Sequence, residues 1–249
     1  MDADVIVVDK PPGLTTMRHK KEARQFGERG QRYLPRTLAD LLRDMIGAAG
    51  RKPGSPVLAV HRVDKDTSGL VVFTRTAHAQ RRLSEQFRAH AVERRYLALV
   101  RGRAKSQRII SYLVEDRGDG RRGSGKQPGS SKRAVTHVRV IEELGDYTLV
   151  ECRLETGRTH QVRIHLGEAR TPLCGERVYD RPLHGRPMLA DQSGMTRTAL
   201  HAAALGFVHP RTGRQMHWEA SIPKDMSDAI KRLRQPSPGK NRRGQRAGK

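Results

Sequence analysis

Across 249 residues the chain carries 49 Lys and Arg against 26 Asp and Glu, a formal net charge of +23; such an excess draws polyanions, nucleic acid first and an anionic membrane surface second. Its 35% hydrophobic and 4% aromatic residues allow an aliphatic core of modest size, in one large domain or two small ones. No run nears the ~18 apolar residues that span a bilayer and the N-terminus lacks a signal-peptide core, so a soluble, cytoplasmic protein is expected.

In chain order, residues 5–8 read as a short strand ending in the turn-forming Pro11-Pro12-Gly13. Residues 18–36 are basic and poor in apolar side chains, a loop that suits RNA contact. Thr37 then caps a helix, with Asp40 three residues on as in a capping box; Leu38, Leu41, Leu42, Met45 and Ile46 recur at helical spacing and predict one apolar face. The apolar runs 57–60 and 70–73 flank a polar segment, His61 to Gly69. This is the pattern of strand, functional turn, strand, in which reactive groups sit on a rigid frame. Within it Arg62 and Asp64 are two apart, so on extended backbone they share a face.

Thr76 is placed to cap a second helix reaching about His90, with Leu83 and Phe87 one turn apart on its buried side. A strand over residues 94–100 follows. Residues 117–133 are rich in Gly, Ser and basic side chains, and are expected to form a long hairpin loop that cannot order itself without RNA. Residues 134–141 and 147–154 alternate as paired strands. Gly157 ends a strand and Thr159 is placed to cap a short helix starting near His160, with Val162 and Leu166 inward and Arg163 on a neighbouring face. Residues 199–208 read as a core strand before a proline turn, and 214–222 as a last strand. Residues 1–233 are expected to form one domain, and 234–249 a disordered basic tail with non-specific RNA affinity. Many strands and few helices without βαβ alternation predict an α+β fold. Cys152 and Cys174 fall short of a disulfide framework and read as buried packing thiols. No metal site is expected.

Several strings occur together in a recognisable order. They are His61-Arg62-Val63-Asp64 with Thr67-Ser68-Gly69, Tyr96-Leu97-Ala98-Leu99-Val100, Thr156-Gly157-Arg158 through Arg163, and Pro172 through Tyr179. Leu200-His201-Ala202 with Phe207-Val208-His209-Pro210 completes the set. This series resembles the RluA-type pseudouridine synthases from residue 5 to about 233, departing by Val63 for the usual Leu and Glu176 for the usual Asp. The resemblance implies a pseudouridine synthase fold: a mixed, mostly antiparallel bent sheet flanked by helices and loops, with the cleft across its middle. It further implies that Asp64 is the catalytic aspartate, Tyr96 stacks on the target base, and Arg163 pairs with Asp64. Arg62 would assist flipping of the uridine, and Arg158 and His160 would hold or shape the site.

Isomerising uridine to pseudouridine is redox-neutral and hydrolyses nothing, so no cofactor is needed. A carboxylate serves either as a covalent nucleophile or as a base for the C2′ proton. The partner would be structured ribosomal or transfer RNA, and the protein a monomer. A catalytically idle RNA-binding or ribosome-assembly protein on the same fold fits the charge equally well but gives no reason for the Asp64, Tyr96, Arg163 set. A nuclease using His61, His160 or His165 as general acid and base is the third reading.

Overall fold

The fold was examined in a computed structural model, which describes residues 1–18, 33–48, 56–125, 131–180 and 188–235. Its strands are β1 (Val5–Lys10), β2 (Leu58–Ala59), β3 (Ser68–Thr74), β4 (Glu93–Arg101), β5 (Gln107–Val114), β6 (Gly123–Ser124), β7 (Lys132–Leu144), β8 (Tyr147–Leu154), β9 (Leu200–Val208) and β10 (Gln215–Glu219). The helices are α1 (Leu38–Ala48), α2 (Ala77–Arg88), α3 (Gln161–Glu168) and α4 (Lys224–Arg234). Among the described residues the strands form one sheet in the order β1-β3-β9-β4-β8-β7-β5-β6, with β10 on β9 and β2 on β3. The sheet is antiparallel except between β3 and β9, which run parallel only at Ser68↔His201 and Gly69↔Ala202. Beyond that contact β3 takes β2 and β9 takes β10 as further partners. The result is the mixed, mostly antiparallel α+β arrangement expected.

β3 shows why a sheet forms at this place. All seven of its residues are buried, and its side chains alternate between two faces. Val71 and Phe73 pack with α1, with Val162 and Leu166 of α3, and with Tyr96, Ala98 and Val100. Leu70 and Val72 pack on the other side with Leu83, Leu205 and Phe207. A strand buried on both faces needs the continuous apolar run that residues 70–73 supply.

Helix caps are local, and two of them formed as expected. Thr37 N–H donates to Asp40 Oδ2 at 2.9 Å while Asp40 N–H returns a bond to Thr37 Oγ1 at 3.3 Å. Thr76 Oγ1 accepts the Ala79 N–H at 3.1 Å. Other expectations needed correction. Met45 is 68% exposed, so the buried stripe of α1 is narrower than the hydropathy pattern predicted. Within residues 117–125 there is local structure: Asp116 Oδ1 accepts the N–H groups of Gly118 and Gly120, and β6 pairs with β5. Residues 126–130, 19–32 and the tail beyond 235 lie outside the described residues. β2 and β10 are shorter than the segments read from sequence.

The helix α4 had no counterpart in the sequence reading. It carries Asp225 in its first turn and Lys231, Arg232 and Arg234 in its last, which complements the helix dipole. Met226, Ala229 and Ile230 seat it on Leu99, Leu149 and Cys174. No helix among the described residues is long and apolar enough to cross a membrane.

Candidate active site

The polar turn between β2 and β3 is held by its backbone. Thr16 Oγ1 donates to Val63 O at 2.8 Å, Thr67 N–H to Asp64 O at 3.1 Å, Lys10 Nζ to Lys65 O at 2.9 Å, and Arg197 Nη1 to Asp66 O at 3.1 Å. Four successive carbonyls therefore each have a fixed donor. Turn geometry is thus determined without using the Asp64 side chain, which stays free for chemistry. Lys10 is fully buried and also donates to Pro11 O and Leu14 O; burial pushes its ammonium down to about 8. Arg197 is anchored by a two-point pair with Asp225 of α4 at 2.6 and 2.9 Å. At the end of the turn, Gly69 adopts φ +106°, and a Cβ there would lie 2.3 Å from Ala202 O. Only glycine allows β3 to approach β9 so closely.

Arg163 projects from α3 towards this turn. Its Nε and Nη2 bind Glu176 at 2.8 and 2.7 Å, and its Nη1 lies 3.5 Å from Asp64 Oδ2. Glu176 is wholly enclosed, and its Oε1 also accepts the N–H groups of Arg177 and Val178. Burial alone would raise its carboxyl, but the Arg163 guanidinium and these N–H groups outweigh that and hold it below the usual carboxylate range. Burial likewise opposes the Arg163 charge, and the two carboxylates more than offset it. Glu176 therefore takes the place of the usual Asp with a complete set of partners.

His160 supplies a second neighbour to Asp64, with Nε2 3.9 Å from Oδ1. Its Nδ1 meets Tyr179 Oη at 2.8 Å. Burial lowers its pKa, partly opposed by Asp64. The backbone there is left-handed, φ 58°, a conformation uncommon outside glycine and typical of functional constraint. Thr159 does not cap α3; His160 occupies that position without a side-chain cap bond. The loop is instead fixed by Gln161, whose amide accepts from Thr156 Oγ1 and Arg158 N–H and donates to Val135 O and Thr136 Oγ1, at 2.7–3.0 Å.

A cavity of about 630 Å³ opens over these groups, within the ~300–1,000 Å³ of small-ligand clefts. Asp64, Tyr96, Arg163, Arg62, Arg158 and His160 all line it. Among the described residues, Arg163 and His160 are the side chains paired with the Asp64 carboxylate. Tyr96 is buried in the wall, its hydroxyl pushed up by burial and by the Asp64 charge. Arg62 is exposed at the cavity, and Arg158 is tethered through Nε to Arg133 O. His61 accepts the Val72 N–H through Nε2 and stacks on Phe87 at 4.6 Å; burial and Arg94 push it down to about 3. His165 is enclosed between Ser111 and Thr136 hydroxyls and pushed down to about 4 by burial. Both rings are thus held towards the neutral form and engaged by the core, which argues against either as the acid or base of a nuclease. Cys152 and Cys174 are buried free thiols pushed up to about 12.

Asp2, Asp4 and His209 bring ligand atoms within 4.8 Å of one another. Asp4 is already bound at two points by Arg211, and the group lies away from the cavity. Lys10, Thr16, Arg197, Gln161 and Tyr179 are structural parts of the site that sequence reasoning did not assign. Gln161 and Tyr179 did stand in quoted motifs, but nothing local shows which carbonyl or ring they meet.

Comparison with known proteins gives concordant matches. The family model described as RNA pseudouridylate synthase matches residues 4–168. A protein of Zymomonas mobilis named ribosomal large subunit pseudouridine synthase D is 38% identical over 233 residues, 93% of this chain and 71% of that one. An uncharacterised RNA pseudouridine synthase of Bacillus subtilis is 39% identical over 236 residues, covering 94% and 71%. Among solved structures, human RNA pseudouridylate synthase domain containing 4 superposes with a TM-score of 0.73 at 21% identity, covering 94% of this chain and 91% of that one.

Proposed function

The chain belongs to the RNA pseudouridylate synthase family, and on that premise we propose that it isomerises specific uridines of large-subunit ribosomal RNA, with Asp64 as the reacting carboxylate. The enzyme class follows from the family. The choice of ribosomal RNA draws on the names of its relatives, with transfer RNA the alternative substrate.

The observation that carries the assignment is Asp64 itself. It stands on a turn whose carbonyls at residues 63–66 are engaged, and its side chain faces a cavity with two loose ion-pair neighbours among the described residues, Arg163 and His160. In the reaction the N1–C1′ bond breaks and a C5–C1′ bond forms. C5 loses a proton and N1 gains one, so atoms balance without a co-reactant or cofactor. Asp64 acts on the sugar or base as nucleophile or base. Arg163 orients it, and the charge of Arg163 favours the ionised form. Tyr96 offers a flat wall for the uracil. A uridine must leave its stack to reach such a cavity, and Arg62, exposed at the rim, is placed to support the extruded nucleotide. Arg158 and His160 shape the opposite wall. Residues 1–233 act as the catalytic unit, the protein works as a cytoplasmic monomer, and the basic tail adds non-specific affinity.

Pseudouridine mapping of total RNA from cells with and without the gene tests this. A discrete site should vanish on deletion, return with wild type, and stay absent with Asp64→Ala. Rescue by the variant, or no lost site, would refute the proposal.

A further inference from the structure

Arg88, His90, Phe87 and Arg94 line the same cavity as Tyr96. Arg94 is two residues before Tyr96 on β4, so both side chains lie on one face, roughly 7 Å apart along the strand. Arg94 is only 8% exposed, and no described carboxylate pairs with it. Its Nη2 donates to Leu154 O and Glu155 O at 3.4 and 3.1 Å. Nε is buried without a partner, and Nη1 makes no hydrogen bond. The guanidinium lies 5.6 Å from the centroid of the Phe87 ring, and burial opposes its charge. Gly157 lacks the Cβ that would come within 2.5 Å of Nη1, so the loop leaves this nitrogen its space.

A buried guanidinium with no facing carboxylate is costly. Its bonds to Leu154 O and Glu155 O and the Phe87 ring offset part of that cost, and an anion entering the cavity would offset the rest. His90, in left-handed backbone at φ 58°, and Arg88 line the same cavity.

We propose that Arg94 is a phosphate-binding residue, which takes the phosphodiester flanking the target uridine while the base lies against Tyr96. Arg94 and Tyr96 line the same cavity two residues apart on one strand, so one nucleotide can reach both. The proposal rests on the RNA-modifying reading above and assigns that same cavity its anion subsite.

The test uses the full chain as wild type, Arg94→Met and Arg94→Lys, and two readouts. First, Tm is measured with inorganic phosphate and with chloride at matched ionic strength. Phosphate should raise the wild-type Tm by about 2 °C or more through mass action, the Lys variant in part, and the Met variant not at all. Second, pseudouridine formation is followed on RNA from deletion cells at several salt concentrations. Arg94→Met should raise KM about 10- to 100-fold and flatten the salt slope by about one unit, with the saturated rate largely kept. Equal phosphate shifts in wild type and Arg94→Met, or an unchanged salt slope, would overturn the subsite. Failure of both variants to fold would make Arg94 structural and overturn it too. A wild type that forms no pseudouridine yet shows the Arg94-dependent phosphate shift would sink the functional reading and leave the subsite standing.

Discussion

Arg163 reaches Asp64 with one nitrogen at 3.5 Å because its other two donors are bound to Glu176 at 2.7 and 2.8 Å. The arginine is thus held by a buried carboxylate and merely leans on the one exposed to the cavity. An Asp64 gripped at two points would be a weaker nucleophile and base, since each strong bond must loosen before it reacts. Glu176 is therefore a positioning residue. In Glu176→Gln the guanidinium is freed to clamp Asp64, and kcat should fall on the order of 10²-fold with little change in KM. Glu176→Ala should also lose about 3–5 kcal/mol of stability, because it strands a buried guanidinium. Steady-state kinetics beside denaturant unfolding would check both, and an unchanged kcat in Glu176→Gln would remove the positioning role.

Lys10 satisfies three carbonyls, one of them in the reactive turn. Lys10→Met keeps the stem but removes the donors, costing about 1–3 kcal/mol for each carbonyl left buried and unpaired. Turnover should fall further than stability explains, since Lys65 is the residue after Asp64. Comparing kcat at a temperature where both proteins are fully folded separates the two effects.

His165 gives a signed pH dependence. Burial holds its folded pKa at about 4, well below the ordinary histidine value of 6.5. The unfolded chain therefore binds the extra proton first as pH falls. The stability due to neutral His165 is complete above pH 6.5 and is lost progressively down to about pH 4, at roughly 1.4 kcal/mol per pH unit. His61, held at about 3, acts in the same direction. Unfolding free energies at pH 7 and pH 5 should show a shallower acid loss for His165→Asn than for wild type; equal losses would contradict the assignment.

Gly69→Ala forces φ +106° on an L-residue and drives a methyl to 2.3 Å from Ala202 O. At least about 1–3 kcal/mol is expected from backbone strain alone, with the β3–β9 contact as the structure that yields. Hydrogen exchange at Ser68 to Val71 would report it as faster opening there than in β7 and β8.

Features encoded within four residues were readable before any coordinates. The Thr37–Asp40 box and the Thr76 cap formed as the spacing demands, and residues 70–73, 134–141 and 147–154 lie in strands as read. Misreadings have physical causes too. Thr159 has the right chemistry for a cap, but Gln161 spends its amide on β7 and holds the loop in a form that puts His160 there instead. Residues 117–125 look unable to fold because their ordering comes from Asp116 side-chain bonds to glycine N–H groups, not from apolar burial. α4 presents few apolar side chains, and its stability comes from distant β-strands. Asp64 and Arg163 were identifiable by motif, whereas the donors that hold their turn lie 47, 55 and 131 residues away.

That last separation bears on the order in which a growing chain becomes an enzyme. Synthesis delivers Lys10 and Thr16 before the reactive turn, but the donor to Asp66 O arrives 131 residues later. Its own anchor, Asp225, comes later still. Long-range pairings of this kind form late in folding. A nascent chain that already presents its basic surface can hold RNA without yet being able to modify it. Activity is thereby tied to completion of the polypeptide, and fragments ending before Arg197 should bind and remain inert.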